Sequence, residues 1–270
     1  MSVNEESKIM KVLNTVIRVF CIVIAYTTLG HAEPLRIQGL EIVSLNCDDY
    51  TGHLVAIGKG EVSEPDRWFI LNSSGDAQEV EPPARFFARF HGMLASADGR
   101  FLAIQSSGEG HPAIDIIDLP HFIKSGQTRS VGAMTTYPGY LRMAHWENGG
   151  LYFTSDMLCL PIAGSWGNPD VDYFNFTIEL PESKMFVFNP DTGMIKAVSK
   201  ELADPVNFFG NLLLDPDHDL RQREIGTAGL LKLGGKGGVP FLKRALKIET
   251  DKEQILWLKD AIEYLESNKQ

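Results

Sequence analysis

The hydrophobic period of this chain changes near Asp204-Pro205. Before this point short apolar runs alternate with polar and turn residues, which is typical of β-strands, and after it apolar residues recur at helical spacing. The charge balance changes at the same place, because residues 33–204 carry 12 basic and 23 acidic side chains whereas residues 205–270 carry 10 of each. The sequence therefore predicts a mainly β region, 33–204, followed by an α-helical region, 205–270.

The helical region contains an internal repeat. Val206-Asn207-Phe208-Phe209 lies 33 residues before Val239-Pro240-Phe241-Leu242, and Gly229-Leu230 lies 32 residues before Ala261-Ile262. A repeat of this length indicates one supersecondary unit used twice. We expect a short and a long helix in each copy, at residues 205–214, 217–233, 239–248 and 251–267.

The residues that carry a family resemblance in this region are Asp215-Pro216-Asp217, Leu220-Arg221, Ala228, Leu230, Leu233-Gly234-Gly235, Val239-Pro240-Phe241-Leu242 and Leu246. On these residues the region resembles short HEAT repeats of the phycobilisome-lyase type. The resemblance implies helix pairs that bury one another's apolar faces, and it implies no catalytic residue because the motif concerns packing. Two such repeats are usually too few to fold alone, so we expect them to pack against the β region or a partner.

The β region is predicted to form three groups of short strands, at 37–82, 86–137 and 140–200. In the second group the run Ser96–Ile104 resembles the hairpin of TolB-like and WD-type β-propeller blades, with Ala97 at the position of the usual proline. The resemblance implies a β-propeller-like array of about three four-stranded units, although closed propellers have about four to eight blades. An open array sealed by the helices, a ring completed by a second chain and a β-sandwich are all compatible with the sequence.

Residues 1–32 have the pattern of a secretory signal peptide. Two lysines precede an apolar stretch, 12–29, and Gly30-His31-Ala32 supplies the small residues of a cleavage site before Glu33. We therefore expect a periplasmic or secreted protein. The alternative is an uncleaved segment that anchors the chain, since the apolar stretch is just long enough to cross a bilayer.

Cys47 and Cys159 are the cysteines that remain after that cleavage. An even number of cysteines in an oxidising compartment makes a disulfide between them a candidate. The alternative is two buried thiols that pack as small apolar side chains.

The formal net charge of the chain is -10. Nucleic-acid binding depends on Lys and Arg side chains that neutralise phosphates, so this acidity disfavours nucleic acid and, for the same reason, anionic membrane surfaces. The expected partners are another protein or a second copy of the chain.

Motifs that suggest metal or phosphate binding fail on their spacing. Asp215-x-Asp217-x-Asp219 opens like a calcium loop, but Leu220 and Gly226 occupy positions that need Gly and Glu. The glycine-rich stretch 234–238 lacks the spacing and the Ser or Thr of a P-loop. The histidines after residue 32 are not spaced as zinc ligands. The motifs therefore predict no metal, no cofactor and no catalytic residue.

A long excursion between residues 156 and 183 is the best candidate for a binding site. Loops of this length inside a compact domain are usually functional or disordered, and aromatic and carboxylate groups suit a ligand, a sugar face or a protein partner. The alternative is that its aromatic side chains plug an open β array. With one histidine from a loop of the second strand group, the candidate binding residues are His111, Asp156, Trp166, Asp170, Asp172, Tyr173 and Phe174.

Two functions from different classes follow from these observations. The first is an exported, non-enzymatic binding or scaffold protein that mediates protein–protein interaction in the cell envelope, with a purely structural envelope protein as a variant. The second is a hydrolase or lyase acting on a carbohydrate or peptide through carboxylates of the 156–183 loop. For a glycoside, that activity needs two carboxyl groups about 5 to 9.5 Å apart.

Overall fold

The computed structural model of the chain describes residues 35–37, 40–47, 50–58, 65–74, 76–83, 89–108, 111–160 and 173–267. These residues form thirteen β-strands, five α-helices and two 3-10 turns, so the fold is mostly β with α-helices, as the sequence predicts. The predicted signal peptide, 1–32, lies outside the described residues. Within them, no helix is both long enough and apolar enough to cross a membrane.

The strands and helices are numbered in chain order. Strands β1 to β5 are Leu35–Ile37, Leu40–Cys47, Tyr50–Gly58, Pro65–Asn72 and Ala77–Val80. Strands β6 to β9 are Arg89–Ala95, Phe101–Gly108, His111–Asp118 and Ser130–Thr136. Strands β10 to β13 are Leu141–Glu147, Gly150–Leu160, Tyr173–Asn189 and Met194–Ala197. Helices α1 to α5 are Leu119–Ser125, Pro205–Leu214, Leu220–Leu233, Val239–Ile248 and Lys252–Ser267, and the 3-10 turns are Lys200–Ala203 and Lys236–Gly238.

The chain divides into two compact units, and each is described by itself. Among the described residues, the first unit holds β1 to β7, the end of β8 from Asp115, and α1. The second unit holds the start of β8, almost all of β9, strands β10 to β13 and helices α2 to α5. The helices at the C-terminal end of the chain therefore share a unit with strands.

The first unit contains an antiparallel sheet in the order β1-β2-β3-β4-β5. Leu54 on the central strand pairs with Val43 on one side and Ile70 on the other, so these side chains share one face of the sheet. That face belongs to one cluster of buried side chains: Val43, Leu45, Leu54, Ala56, Trp68, Ile70, Phe90, Met93, Leu102, Ile104, Ile117, Leu119 and Phe122. Removal of this apolar surface from water is the main contribution that stabilises the unit.

The turn between β6 and β7 lies in the run that resembles a propeller hairpin. Ser96 Oγ donates to Asp98 Oδ1 at 2.6 Å and accepts from the Phe101 N–H at 2.9 Å. Burial would raise the pKa of Asp98, but hydrogen bonds from Ser96 and Arg100 outweigh burial and hold this pKa below its usual value. Polar side chains within the turn thus fix the register of the hairpin.

Helix α1 is an element that the sequence pattern did not predict. The alternating pattern predicts a strand at 113–118 and another at 130–137, and it assigns no element between them. In the structure Asp118 Oδ1 accepts from the His121 N–H at 2.9 Å, and Pro120 lies in the first turn of α1. An acidic cap followed by proline is a helix-start signal, which the strand period on either side obscured.

In the second unit β10, β11 and β12 pair antiparallel in that order, and β13 pairs with β12. The first residues of β12 also pair in parallel with β9, where Tyr173 lies opposite Ala133 and Phe176 opposite Thr136. This arrangement corrects the predicted loop from 156 to 183, because Asp156 lies on β11 and residues 173–183 lie on β12. The alternation of apolar residues along 174–180 is a strand pattern that the neighbouring glycines and prolines masked.

The four helices of the second unit lie where the repeat predicts them, and their ends differ from the predicted ones by at most three residues. Asp204, Asp219 and Asp251 accept hydrogen bonds from the first-turn amides of α2, α3 and α5. Asp219 and Gln222 form a reciprocal capping box, so the last aspartate of the calcium-like motif starts α3, whereas Asp215 follows the end of α2.

Helix α3 contacts strand β12 through polar groups. Arg221 Nη2 lies 2.6 and 2.7 Å from the two carboxylate oxygens of Glu179, and Lys232 Nζ donates to the carbonyl oxygen of Thr177 at 2.6 Å. Both basic side chains come from the helix and both acceptors from the strand. These contacts fix α3 against the part of β12 that continues from its pairing with β9.

Candidate functional site

The second unit brings two of the predicted site residues to one turn of the sheet. This turn, residues Tyr137–Tyr140, joins β9 to β10 and is called the aromatic turn below. Its first residue contacts His111 from the start of β8, and its last residue contacts Asp156 from β11. Residues that are far apart in sequence therefore meet because the aromatic turn, which connects β9 to β10, contacts the start of β8 at one end and β11 at the other.

The ring of His111 lies against the ring of Tyr137. Their centroids are 4.2 Å apart and the planes are inclined by 33°. Close by, Thr135 Oγ1 donates to the carbonyl oxygen of Pro112 at 3.1 Å, which ties the end of β9 to the start of β8. The ring contact and this hydrogen bond together orient Tyr137 on the turn.

Asp156 holds the other end of the aromatic turn. Its Oδ1 accepts the Tyr140 N–H at 2.6 Å, a short hydrogen bond of the kind that carboxylates make with backbone donors. Gly139 has a φ of +154°, and a Cβ there would lie 2.6 Å from Met157 Cγ and 3.0 Å from Asp156 Oδ1. Glycine is therefore required for the turn to approach β11. The Asp156 carboxylate has a structural role, because it holds the turn against β11.

The aromatic turn exposes two large side chains. Tyr137 is 61% exposed and Tyr140 is 42% exposed, while Thr136 immediately before them is buried. A tyrosine presents a large apolar ring and a hydroxyl that both donates and accepts, and it loses little conformational entropy on binding. Two such side chains on a braced turn form a surface suited to a protein or sugar face.

The structure describes the remaining predicted residues only in part. The backbones of Tyr173 and Phe174 lie on β12 beside β9, and their side chains lie outside the described residues. Trp166, Asp170 and Asp172 fall within residues 161–172, which also lie outside them. The structure thus joins His111 and Asp156 through the aromatic turn, and the roles of the other five stay predictions.

The proposed disulfide also stays a prediction. The backbone of Cys47 ends β2 and that of Cys159 lies on β11, but neither side chain is among those described. In the part of the chain that the structure describes, no group of three or more His, Cys, Asp or Glu side chains is arranged to hold a metal ion.

Tyr137 and Tyr140 are the site residues that the sequence alone did not single out. A Pro-Gly pair flanked by two tyrosines predicts a turn with aromatic neighbours. That signal was available, but it gives no information about exposure. Exposure depends on the sheet register that places Asp156 under the turn.

No protein-family model and no curated protein matches the sequence. Among solved structures, the uncharacterized protein lmo1340 from Listeria monocytogenes EGD-e aligns with 10% identity and a TM-score of 0.35, over 63% of this chain and 43% of that one. A protein from Lactobacillus plantarum aligns with 12% identity and a TM-score of 0.27, over 59% of this chain and 55% of that one. This chain thus spans about half the length of each, and TM-scores this low do not establish a shared fold.

Proposed function

We propose that this chain is an exported, non-enzymatic binding or scaffold protein that contacts a protein partner, or a second copy of itself, in the cell envelope. The observation that carries the proposal is the exposure of Tyr137 and Tyr140 on a turn braced by His111 and Asp156. Exposed aromatic side chains held in a fixed geometry are enriched among the residues that dominate protein interfaces.

The architecture that we propose around this surface is a β-propeller-like array, 33–204, followed by a HEAT-type helical repeat, 205–270, after a cleaved signal peptide, 1–32. Close helix packing supports the repeat: a Cβ at Gly210 would lie 2.2 Å from the ring of Phe241, and one at Gly229 would lie 2.3 Å from the ring of Phe209. Such clearances are expected where one helix of a stacked pair lies directly on the next.

The competing enzymatic hypothesis draws on Asp156, Asp170 and Asp172. Of these, Asp156 is described, and its Oδ1 is occupied by the backbone amide of Tyr140. A general acid or base must reach a proton of the substrate. A carboxylate that is hydrogen-bonded to a backbone amide of a turn is poorly placed to do so. The binding role is therefore the one that the geometry favours.

Site-specific photo-crosslinking in the exported full-length chain tests the proposal. A photoreactive phenylalanine at position 137 or 140 is expected to yield one discrete cross-linked species, whose mass identifies a partner or a second copy. The same group at Met194, which is 53% exposed on β13, serves as the control and is expected to yield none.

The affinity of the cross-linked pair provides the quantitative measure. Tyr137→Ala is expected to weaken it by about tenfold or more, as truncating a central interface aromatic does. Equal cross-linking from Met194, or no cross-linking from the turn together with a monomeric mass in solution, would falsify the binding role.

A further inference from the structure

A cavity of about 490 Å³ lies in the second unit, and its lining residues do not include those of the aromatic turn. It is bounded by the middle of β12, the 3-10 turn before α2, helix α2 and the start of α3. Its volume falls in the usual range of ligand sites, about 300 to 1,000 Å³. The lining residues are Pro181, Glu182, Lys184, Glu201, Asp204, Asn207, Phe208, Asn211, Leu212, His218 and Gln222.

Lys184 is the least exposed charged group of this lining. Its side chain is 14% exposed, and its Nζ donates to Glu182 Oε1 at 2.6 Å and to Glu201 Oε1. Burial would lower the pKa of Lys184, but these two carboxylates outweigh burial and raise this pKa above its usual value. The lysine is therefore charged and already satisfied, so it is neither a nucleophile nor a receptor for an anionic ligand.

The other polar groups of the cavity present both acceptors and donors, and Gln222 keeps its amide N–H groups because its Oε1 accepts the Asp219 N–H. Asn207 Nδ2 donates to Asp204 Oδ2, which leaves the Asn207 carbonyl oxygen as an acceptor. His218 Nδ1 lies 3.1 Å from the Leu212 carbonyl oxygen, and its Nε2 lies 3.7 Å from Asp215 Oδ2, so both ring nitrogens face acceptors. Glu182 has a second carboxylate oxygen outside its bond to Lys184, and its side chain is 70% exposed.

The charges of the lining favour a cationic ligand. Glu182, Glu201 and Asp204 contribute three carboxylates against the single ammonium group of Lys184. A field of this sign attracts cationic groups over distances of the order of the Debye length.

We propose that this cavity binds the guanidinium group of an arginine side chain presented by a protein partner. Guanidinium is planar, always charged and has five N–H donors and no acceptor, which complements a lining with excess acceptors. Phe208 adds an aromatic face over which such a cation can stack. The choice of a protein partner rests on the proposed function, whereas the guanidinium preference rests on the cavity alone.

Calorimetric titration of the full chain with N-acetyl-arginine amide tests this preference, with N-acetyl-citrulline amide as the uncharged analogue of the same shape. Saturable binding of the arginine probe, and about tenfold weaker binding of the citrulline probe, are expected. A longer glycine-flanked arginine peptide and agmatine then distinguish the source. Tighter binding of the peptide indicates a protein partner, and tighter binding of agmatine indicates a free amine and overturns the choice of partner.

The matched variants are two double substitutions that remove the same charge. Glu182→Gln with Asp204→Asn alters the cavity and keeps the α2 cap, because asparagine caps helices as well as aspartate does. Asp260→Asn with Glu263→Gln removes two exposed carboxylates of α5 instead. The cavity variant is expected to lose about tenfold in affinity for the arginine probe and the α5 variant less than about twofold.

Two outcomes overturn the proposal: equal binding of the arginine and citrulline probes, or equal losses in the two double variants. Neither outcome bears on the aromatic turn, whose test uses cross-linking at different residues. Failure of cross-linking at Tyr137 would likewise leave the guanidinium titration interpretable.

Discussion

The two compact units both bury large apolar side chains, but helices of the second also approach one another closely at glycines. In the first unit the core is one cluster of large apolar side chains from β2, β3, β4, β6, β7, β8 and α1. In the second unit α3 contacts β12 through an arginine–glutamate pair and a lysine–carbonyl bond, and helices pack where glycines leave room for phenylalanine rings. Removal of side-chain volume is therefore the expected way to destabilise the first unit, and addition of a methyl group at a helix glycine the expected way to destabilise the second, since exposed ion pairs contribute only about 0 to 1 kcal/mol.

The largest effect is expected from removing a large side chain of the first unit. Phe122 is completely buried in the cluster, so Phe122→Ala is expected to lower the free energy of unfolding by about 3 to 5 kcal/mol. Urea denaturation followed by circular dichroism measures this loss. Tyr264→Ala, at a side chain that is 55% exposed on α5, is the control and is expected to change stability by less than about 0.5 kcal/mol. A comparable loss in both variants would contradict the role assigned to the cluster.

A smaller effect is expected in the second unit, where adding side-chain volume, rather than removing it, should destabilise the fold. Gly→Ala inside a helix normally stabilises by about 0.5 to 1 kcal/mol. At Gly229 the new Cβ would lie 2.3 Å from Phe209 Cδ1, so Gly229→Ala is expected to cost about 1 to 3 kcal/mol, as overpacking does. Denaturation midpoints measure the change.

Two further variants separate overpacking from an effect of alanine itself. Gly237→Ala is expected to be tolerated, because the nearest side-chain atom, on Val206, would lie 3.5 Å from the new Cβ. Phe209→Leu combined with Gly229→Ala is expected to cost less than the two single losses added together, since the smaller side chain makes room. Full additivity of the two losses would show that the clearance at Gly229 is not limiting.

The difference between local sequence signals and tertiary contacts explains how much of the fold the sequence could predict. The helices follow from the 33-residue repeat and the capping aspartates, and most strands follow from alternation and turn residues, because these signals are local. Helix α1 was missed because a single Asp-Leu-Pro signal stands between two strong strand patterns. The early part of β12 was missed because neighbouring glycines and prolines masked its alternating pattern, and its partner strand β9 is set by tertiary contact.

The candidate site was predictable only in part for a related reason. His111 and Asp156 were chosen for their residue types, yet their roles come from the register that places them beside Tyr137 and Tyr140. Asp156 was expected to contact a ligand, and in the structure its carboxylate accepts a hydrogen bond from a backbone amide. A sequence identifies which groups can make such contacts, but the sheet decides which groups meet.

The smallest expected effect uses pH to separate the two units. In the first unit burial lowers the pKa of His53 below 6.5, because the charged ring is poorly solvated there. The unfolded chain then takes up a proton before the folded one does. The stability that neutral His53 contributes is therefore complete above about pH 6.5 and is lost as pH falls towards the folded-state pKa.

In the second unit, the carboxylate of Glu201 takes up its proton at lower pH than His53 does. The hydrogen bond from Lys184 lowers the pKa of Glu201 below 4.5, so its contribution is present above about pH 4.5 and is lost as pH falls through the folded-state value. Because the Glu201 side chain is 48% exposed, solvent screens this pair and its contribution is small. Mild acidification is thus expected to weaken the first unit and leave the Lys184–Glu201 pair intact.

Hydrogen exchange, corrected for its intrinsic pH dependence, can measure this order segment by segment. As pH falls below about 6.5, protection of β3 is expected to fall while protection of α2 stays constant. His53→Leu removes the titrating group from a buried position and should abolish the slope in β3, whereas His121→Gln, at a partly exposed position on α1, should retain it. An unchanged slope in His53→Leu would show that another group of the first unit carries the acid sensitivity. Parallel losses of protection in β3 and α2 would show that the two units do not differ in their response to mild acid.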